Sequence, residues 1–141
     1  MLKGIDPLLS GDLLKLLDEM GHGDELVIAD RNFPAYATGR PVIRLGEATV
    51  TRAAEAVLSV FPLDTFIPTP LERMEVDNDP EVVTSRGEEI LKAAIASEGR
   101  KLSFGVISRF DFYIRAAKAC VIIHTLETEG YNDFILTKGV V

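Results

Sequence analysis

Two titratable side chains, His22 and Asp30, bracket a short apolar run in Gly21-His22-Gly23-Asp24-Glu25-Leu26-Val27-Ile28-Ala29-Asp30. An imidazole, with an ordinary pKa of about 6.5, can take and return a proton near neutrality. A carboxylate can accept hydrogen bonds from hydroxyl groups. The pair therefore suits acid/base work on a polar substrate. Each residue also has a purely structural explanation: a histidine satisfied by a carbonyl at a helix end, and an aspartate closing an Asx turn. The run between them has the length and uniform apolarity of a strand covered on both faces. Extended chain advances about 3.3 Å per residue, so the two groups meet only if the glycine turn folds His22 back or a second chain completes the site.

Three further positions invite attention. Arg109 falls in the first turn of a predicted helix, where the helix dipole disfavours a cation; a ligand, or a salt bridge to Asp111, would answer that misfit. Tyr113 lies four residues on, on the same helical face, and reads as a core aromatic. Tyr131 follows a glycine in a polar loop, where it could stack on a ligand or move a proton. Other chemistries lack their residues. His22 and His124 are the only histidines and Cys120 the only cysteine, so there is no metal-ligand spacing and no intrachain disulfide. No phosphate-binding glycine motif is present, and Ser10 and Ser108 read as helix caps rather than nucleophiles. Cys120 and His124 themselves read as core residues.

The elements that must position these residues alternate along the chain. Ser10 caps a helix with apolar positions Leu13, Leu14, Leu16, Leu17 and Met20, and Gly21 is its expected left-handed stop. Leu26–Ala29 is a strand, with Asp30 at its carboxyl end, the edge where α/β sheets bind ligands. Val42–Leu45 follows as a strand, and Thr51 caps a helix that Pro62 ends. Phe66-Ile67 and Leu71–Val76 read as strands separated by Pro68 and Pro70. Asp79 and Pro80 begin a helix running to about Ser97, with Gly87 as an interruption. Leu102–Ile107 is a strand, Ser108 caps a helix from Arg109 to about Ala119, and Val121–Ile123 and Phe134–Leu136 close the chain. Such alternation predicts a three-layer αβα sandwich around a mainly parallel or mixed sheet.

At 141 residues the chain suits one domain, and its formal charge of −7 disfavours nucleic acid and anionic membrane surfaces. No apolar run approaches the ~20 residues of a membrane span. With a lone cysteine and no basic-then-apolar leader at its start, the expected compartment is the cytoplasm.

Several segments together resemble the RbsD/FucU family of sugar mutarotases, whose branches include L-fucose mutarotase and D-ribose pyranase. They are Leu2-Lys3-Gly4-Ile5-Asp6-Pro7-Leu8-Leu9, the Gly-His-Gly-Asp turn, Ala29-Asp30-x-Asn32-Phe33-Pro34, Arg109-Phe110-x-Phe112-Tyr113, Tyr131 and Lys138-Gly139-Val140. The resemblance covers essentially the whole chain. It implies interconversion of the anomers of a monosaccharide with no cofactor and no metal. His22 would then transfer the proton, Tyr131 would bind the sugar or share the proton shuttle, and Asp30 and Arg109 would bind hydroxyl or ring oxygens. Arginine rather than histidine at position 109 points to the fucose branch, hence L-fucose or a similar six-carbon sugar. A ribose-directed activity, an aldose–ketose isomerase and a non-enzymatic sugar-binding module are the competing readings. The resemblance also implies a closed homo-oligomer, commonly a decamer, with sugar sites near subunit contacts.

One position departs from the family pattern. Family members usually carry Tyr-x-Asn before the last strand, and counting back from Lys138-Gly139 gives Tyr131-Asn132-Asp133 here. Either Asp133 takes the asparagine's place beside Tyr131, as alternation in extended chain favours, or the loop slips by one and Asn132 binds the sugar. An ionised aspartate accepts hydrogen bonds but donates none.

Overall fold

The computed structural model describes residues 1–141. In chain order the elements are α1 (Gly11–Glu19), β1 (Glu25–Ala29), a 3-10 turn (Tyr36–Thr38), β2 (Val42–Leu45), α2 (Val50–Leu58), β3 (Leu71–Met74), α3 (Ser85–Glu98), β4 (Gly105–Ile107), α4 (Arg109–Ala116), β5 (Val121–Thr125) and β6 (Phe134–Thr137). The six strands form one sheet in the order β2-β5-β1-β6-β3-β4. β6 runs antiparallel to both its neighbours, β1 and β3, while every other pairing is parallel. Five strands therefore share one direction, and the sheet is mixed.

The apolar runs Leu26–Ala29, Val121–Ile123 and Phe134–Leu136 of the central strands follow from what covers them. Leu26 and Ile28 of β1, Val121 and Ile123 of β5, and Phe134 and Leu136 of β6 face a core shared with α1, α2 and α3. Their neighbours Val27, Ala29, Ile122 and Ile135 face a second core, built with Phe112 and Ala116 of α4 and with Phe33. A strand buried on both faces has no place for the polar half of an alternating pattern. Three helices on one face and one on the other give the three-layer αβα sandwich. No helix is long and apolar enough to cross a membrane.

Local chemistry fixes the helix starts, and here some expectations need correction. Ser10 and Ser108 cap α1 and α4 as expected, accepting from Leu13 N and Asp111 N. Helix α2 is capped by Thr49, not Thr51, whose hydroxyl instead donates to Glu89 Oε2 at 2.6 Å. Asp79 does not begin a helix. Asp77 and Asn78 both take left-handed backbone angles (φ 48° and 61°), reversing the chain so that Val76 pairs with Asp79, and α3 starts only after Thr84. Two consecutive left-handed residues make a tight hairpin turn, which no helix can enter. Gly87 does not interrupt α3; its N–H donates to the capping Thr84 Oγ1 at 2.9 Å. Phe66 and Ile67 form no strand, and Pro68 and Pro70 close by cannot donate to a ladder. Gly21 is not left-handed; α1 ends at an extended Met20, and it is Gly23 that needs a positive φ, 86°.

Candidate functional site

Because β6 opposes its neighbours, its start lies at the edge where β1 and β3 finish; the registers Ile28↔Phe134 and Arg73↔Phe134 make this explicit. β4 also ends there and hands directly to α4. Four connections thus converge and enclose a cavity of about 190 Å³ lined by Asp30, Arg109, Tyr113, Tyr131 and Asp133, among others. Neither the β1 turn nor the β6 loop reaches this edge by local sequence alone. The sheet topology brings them together.

At the floor are two carboxyls, Asp30 at 2% and Asp133 at 3% exposure. Asp30 does close an Asx turn: its Oδ1 accepts from Asn32 N at 2.9 Å and Phe33 N at 3.0 Å. Its Oδ2 accepts from Asn132 N at 3.3 Å, and its own N–H donates to Asp133 Oδ1 at 2.9 Å. Burial pushes the Asp133 carboxyl well above the usual range, the nearby charge of Asp30 adds to it, and burial raises Asp30 as well. Backbone N–H groups favour the charged form of Asp30, so Asp133 is the member that keeps the proton and donates it to Asp30. A protonated carboxyl has a donor, as an amide does. The loss of a donor expected from the sequence at position 133 is thereby offset.

Tyr131 and Asp133 both line this cavity, but not by strand alternation. Tyr131 has φ 63°, and β6 begins only at Phe134, so a left-handed turn aims the ring. The intervening Asn132 is fully buried and points elsewhere: its Oδ1 accepts from Thr84 Oγ1 at 2.7 Å, and its Nδ2 donates to Glu129 O and Gly130 O. Asn132 is a strut between this loop and the start of α3.

Arg109 answers its dipole misfit through Tyr113 rather than Asp111. Its Nε donates to the Tyr113 hydroxyl at 2.9 Å, and its guanidinium lies 5.5 Å from the centres of the Phe110 and Tyr113 rings. Asp111 is engaged by the Ser108 hydroxyl at 2.9 Å. The remaining guanidinium N–H groups of an exposed arginine are free to meet a ligand.

His22 is not in this cavity. It precedes β1 and Asp30 follows it, so the sheet separates them by roughly 16 Å for five extended residues. The turn carrying His22 is tied to the opposite edge, where Gly23 N donates to Lys138 O at 2.9 Å and Lys138 N to Asp24 O at 2.8 Å. Lys138 Nζ donates to the Leu17 and Met20 carbonyls at 2.7 and 2.6 Å, satisfying the end of α1. His22 Nε2 lies 3.0 Å from Asp64 Oδ1, and the two line different surroundings from Asp30 and Arg109: a separate cavity of about 580 Å³ borders His22, Asp18, Lys138 and Val141. Sequence reading missed Asp64 and the role of Lys138. Only the pairing of Asp64 N with Thr137 O, across the sheet, could have linked Asp64 to His22.

A small cavity lined by two carboxyls, an arginine and two tyrosines lies at the strand ends of a mixed α/β sheet, the edge where such sheets commonly bind ligands. The chain belongs to the RbsD/FucU family: the RbsD / FucU transport protein family matches residues 3–141. It is 40% identical over 144 residues to the L-fucose mutarotase of Haemophilus influenzae, covering 99% of this chain and 97% of that one. The FucU structure from Bifidobacterium longum is 38% identical with a TM-score of 0.92, covering 99% of both chains. The fucose mutarotase of Streptococcus pneumoniae, solved in complex with L-fucose, is 35% identical with a TM-score of 0.88 over 99% of both chains.

Proposed function

We propose that this protein is a mutarotase that interconverts the α and β anomers of a monosaccharide, with L-fucose as the best candidate, by acid/base chemistry at His22. The observation that carries the reading is the polar cavity of Asp30, Arg109, Tyr131 and Asp133, in a chain alike over its whole length to L-fucose mutarotases. In this reading His22 removes the proton of the anomeric hydroxyl. The bond from C1 to the ring oxygen breaks, and the ring oxygen takes a proton delivered through Tyr131 or water. The open-chain aldehyde turns about its C1–C2 bond and closes by the reverse transfers. No redox group is consumed, and one proton is taken and one returned. Arg109 donates to sugar oxygens, the Asp30–Asp133 pair orients hydroxyls, and Asn132 holds the loop without touching the sugar.

His22 and the cavity occupy opposite edges of one chain, so the working site in this reading is shared between copies of a homo-oligomer, with a decameric ring as the assembly the family resemblance suggests. Exposed aromatics rim both halves: Phe66 at 74% beside His22 and Phe110 at 70% beside Arg109. The compartment that goes with it is the cytoplasm, and neither nucleic acid nor membrane is a partner.

Saturation-transfer NMR of anomer exchange tests the reading, with fucose, ribose, galactose and glucose as the panel. The expected result is acceleration of L-fucose exchange that His22→Ala reduces by about 10²- to 10⁴-fold, the usual contribution of one positioned acid/base group. Exchange at the wild-type rate in His22→Ala would remove His22 from the chemistry. Sugar binding with no acceleration by the wild-type protein would instead make it a binding module, and a ketose product would make it an isomerase of another kind.

A further inference from the structure

His22 has one polar partner in the chain, and that partner is held more firmly than packing alone requires. The His22 side chain is 38% exposed, whereas that of Asp64, 3.0 Å away, is 4% exposed. Asp64 Oδ1 also accepts from Phe66 N at 3.0 Å. The backbone of Asp64 is fixed on both sides, its N–H donating to Thr137 O and its carbonyl accepting from Arg100 Nη2, each at 3.0 Å. The Phe66 ring meets the imidazole edge-on, with centres 4.8 Å apart. Rotation of the ring is therefore limited from two directions by one three-residue segment, Asp64-Thr65-Phe66.

The charges nearby do not compete for the ring. Lys138 is committed to the α1 carbonyls, Asp24 accepts from Gly21 N at 2.7 Å, and Asp18 borders the same cavity without bonding to His22. The Phe66 N–H, with His22 itself, holds the Asp64 carboxyl below its ordinary range, so it is an acceptor. An N–H on Nε2 is therefore what the Asp64 carboxylate can accept.

We propose that Asp64 is the positioning residue of His22, holding the imidazole as its Nε2–H tautomer so that Nδ1 is the atom that takes the anomeric proton. This rests on the acid/base reading of His22. When Nδ1 accepts that proton, the ring becomes an imidazolium with N–H on both nitrogens, and its Nε2–H still faces the Asp64 carboxylate. The charge created in the step appears 3.0 Å from a buried anion. On ring closure Nδ1 returns the proton to the anomeric oxygen, and the Nε2–H never leaves.

Two histidines in the whole chain make the tautomer directly readable by ¹⁵N NMR of histidine-labelled protein, with His22→Ala assigning the signals. The wild-type assembly is expected to show His22 with a protonated Nε2 and a bare Nδ1, and a His22 protonated on Nδ1 would overturn the proposal without any variant. Asp64→Ala removes the one oxygen that both Phe66 N and His22 Nε2 meet. It is expected to lose the tautomer preference and to slow exchange by roughly 10- to 100-fold, the range seen when a histidine's orienting partner is removed at metal sites, while still binding sugar. Wild-type exchange in Asp64→Ala beside a dead His22→Ala would sink the role of Asp64 alone. Wild-type exchange in His22→Ala would sink the reading beneath it.

Discussion

Asp133 stands where the family resemblance implies an asparagine. Two buried carboxyls joined by the Asp30 N to Asp133 Oδ1 bond cannot both ionise cheaply, and burial pushes both upward. A carboxyl raised in the folded state binds more proton there than in the unfolded chain, where it titrates near 3.9. The stability it contributes is full below that value and is lost as pH rises through the folded-state titration. Asp133→Asn supplies a permanent N–H donor to Asp30 and removes the titration. Its melting temperature is therefore expected to match the wild type near pH 4 and to exceed it increasingly towards pH 8, by about 3–4 °C for each kcal/mol recovered. A difference that does not change with pH would mean that the pair shares no proton. The same variant is expected to preserve or raise exchange of L-fucose. Asn132→Ala, by contrast, removes buried hydrogen bonds to Thr84 and the loop carbonyls and should cost stability, about 1–3 kcal/mol, rather than direct sugar contact. Arg109 is the second residue with a discriminating role in this reading. Arg109→His is expected to lose fucose exchange more than ribose exchange in the same NMR panel, and equal losses would remove it as a specificity residue.

At the scale of elements, the connections matter more than the strands. The last strand and the residues after it lock the His22 edge: Gly139 runs so close to the Leu63–Asp64 backbone that a Cβ there would sit 2.6 Å from Leu63 O and 2.8 Å from Asp64 Cα. Main chain cannot yield as a flexible side chain does. Gly139→Ala is therefore expected to cost about 1–3 kcal/mol, read as a fall in melting temperature of roughly 3–10 °C, and to slow exchange by moving Asp64 from His22. A variant with unchanged stability and rate would show that the segment does not constrain the site. Much of this level was legible in the sequence. Continuous apolar runs gave β1, β5 and β6, and Ser10 and Ser108 gave two helix starts, because these signals are local. The start of α3 was not, since Asp79-Pro80 carries a helix-start signal that the left-handed Asp77 and Asn78 override. Nor were the carboxyl pair and the His22–Asp64 contact, which join residues 103 and 42 positions apart through strand pairing that no local pattern encodes.

The whole molecule poses the question that the residues and elements leave. One chain holds a polar cavity of about 190 Å³ at one edge of its sheet and a histidine bonded to Asp64 at the other, with exposed Phe110 and Phe66 beside each. In the proposed reading, acid/base catalysis at the cavity draws on the histidine edge of another copy, and a monomer would carry two incomplete halves. Subunit mixing tests this most directly. His22→Ala and Arg109→Ala proteins are each prepared alone, then unfolded and refolded together, and anomer exchange of L-fucose is measured by saturation-transfer NMR. Each variant alone is expected to be nearly inactive, while the mixture regains a substantial part of the wild-type rate, because some interfaces pair an intact His22 with an intact Arg109. A mixture that refolds into mixed assemblies yet stays as inactive as its two components would contradict a site built from two copies.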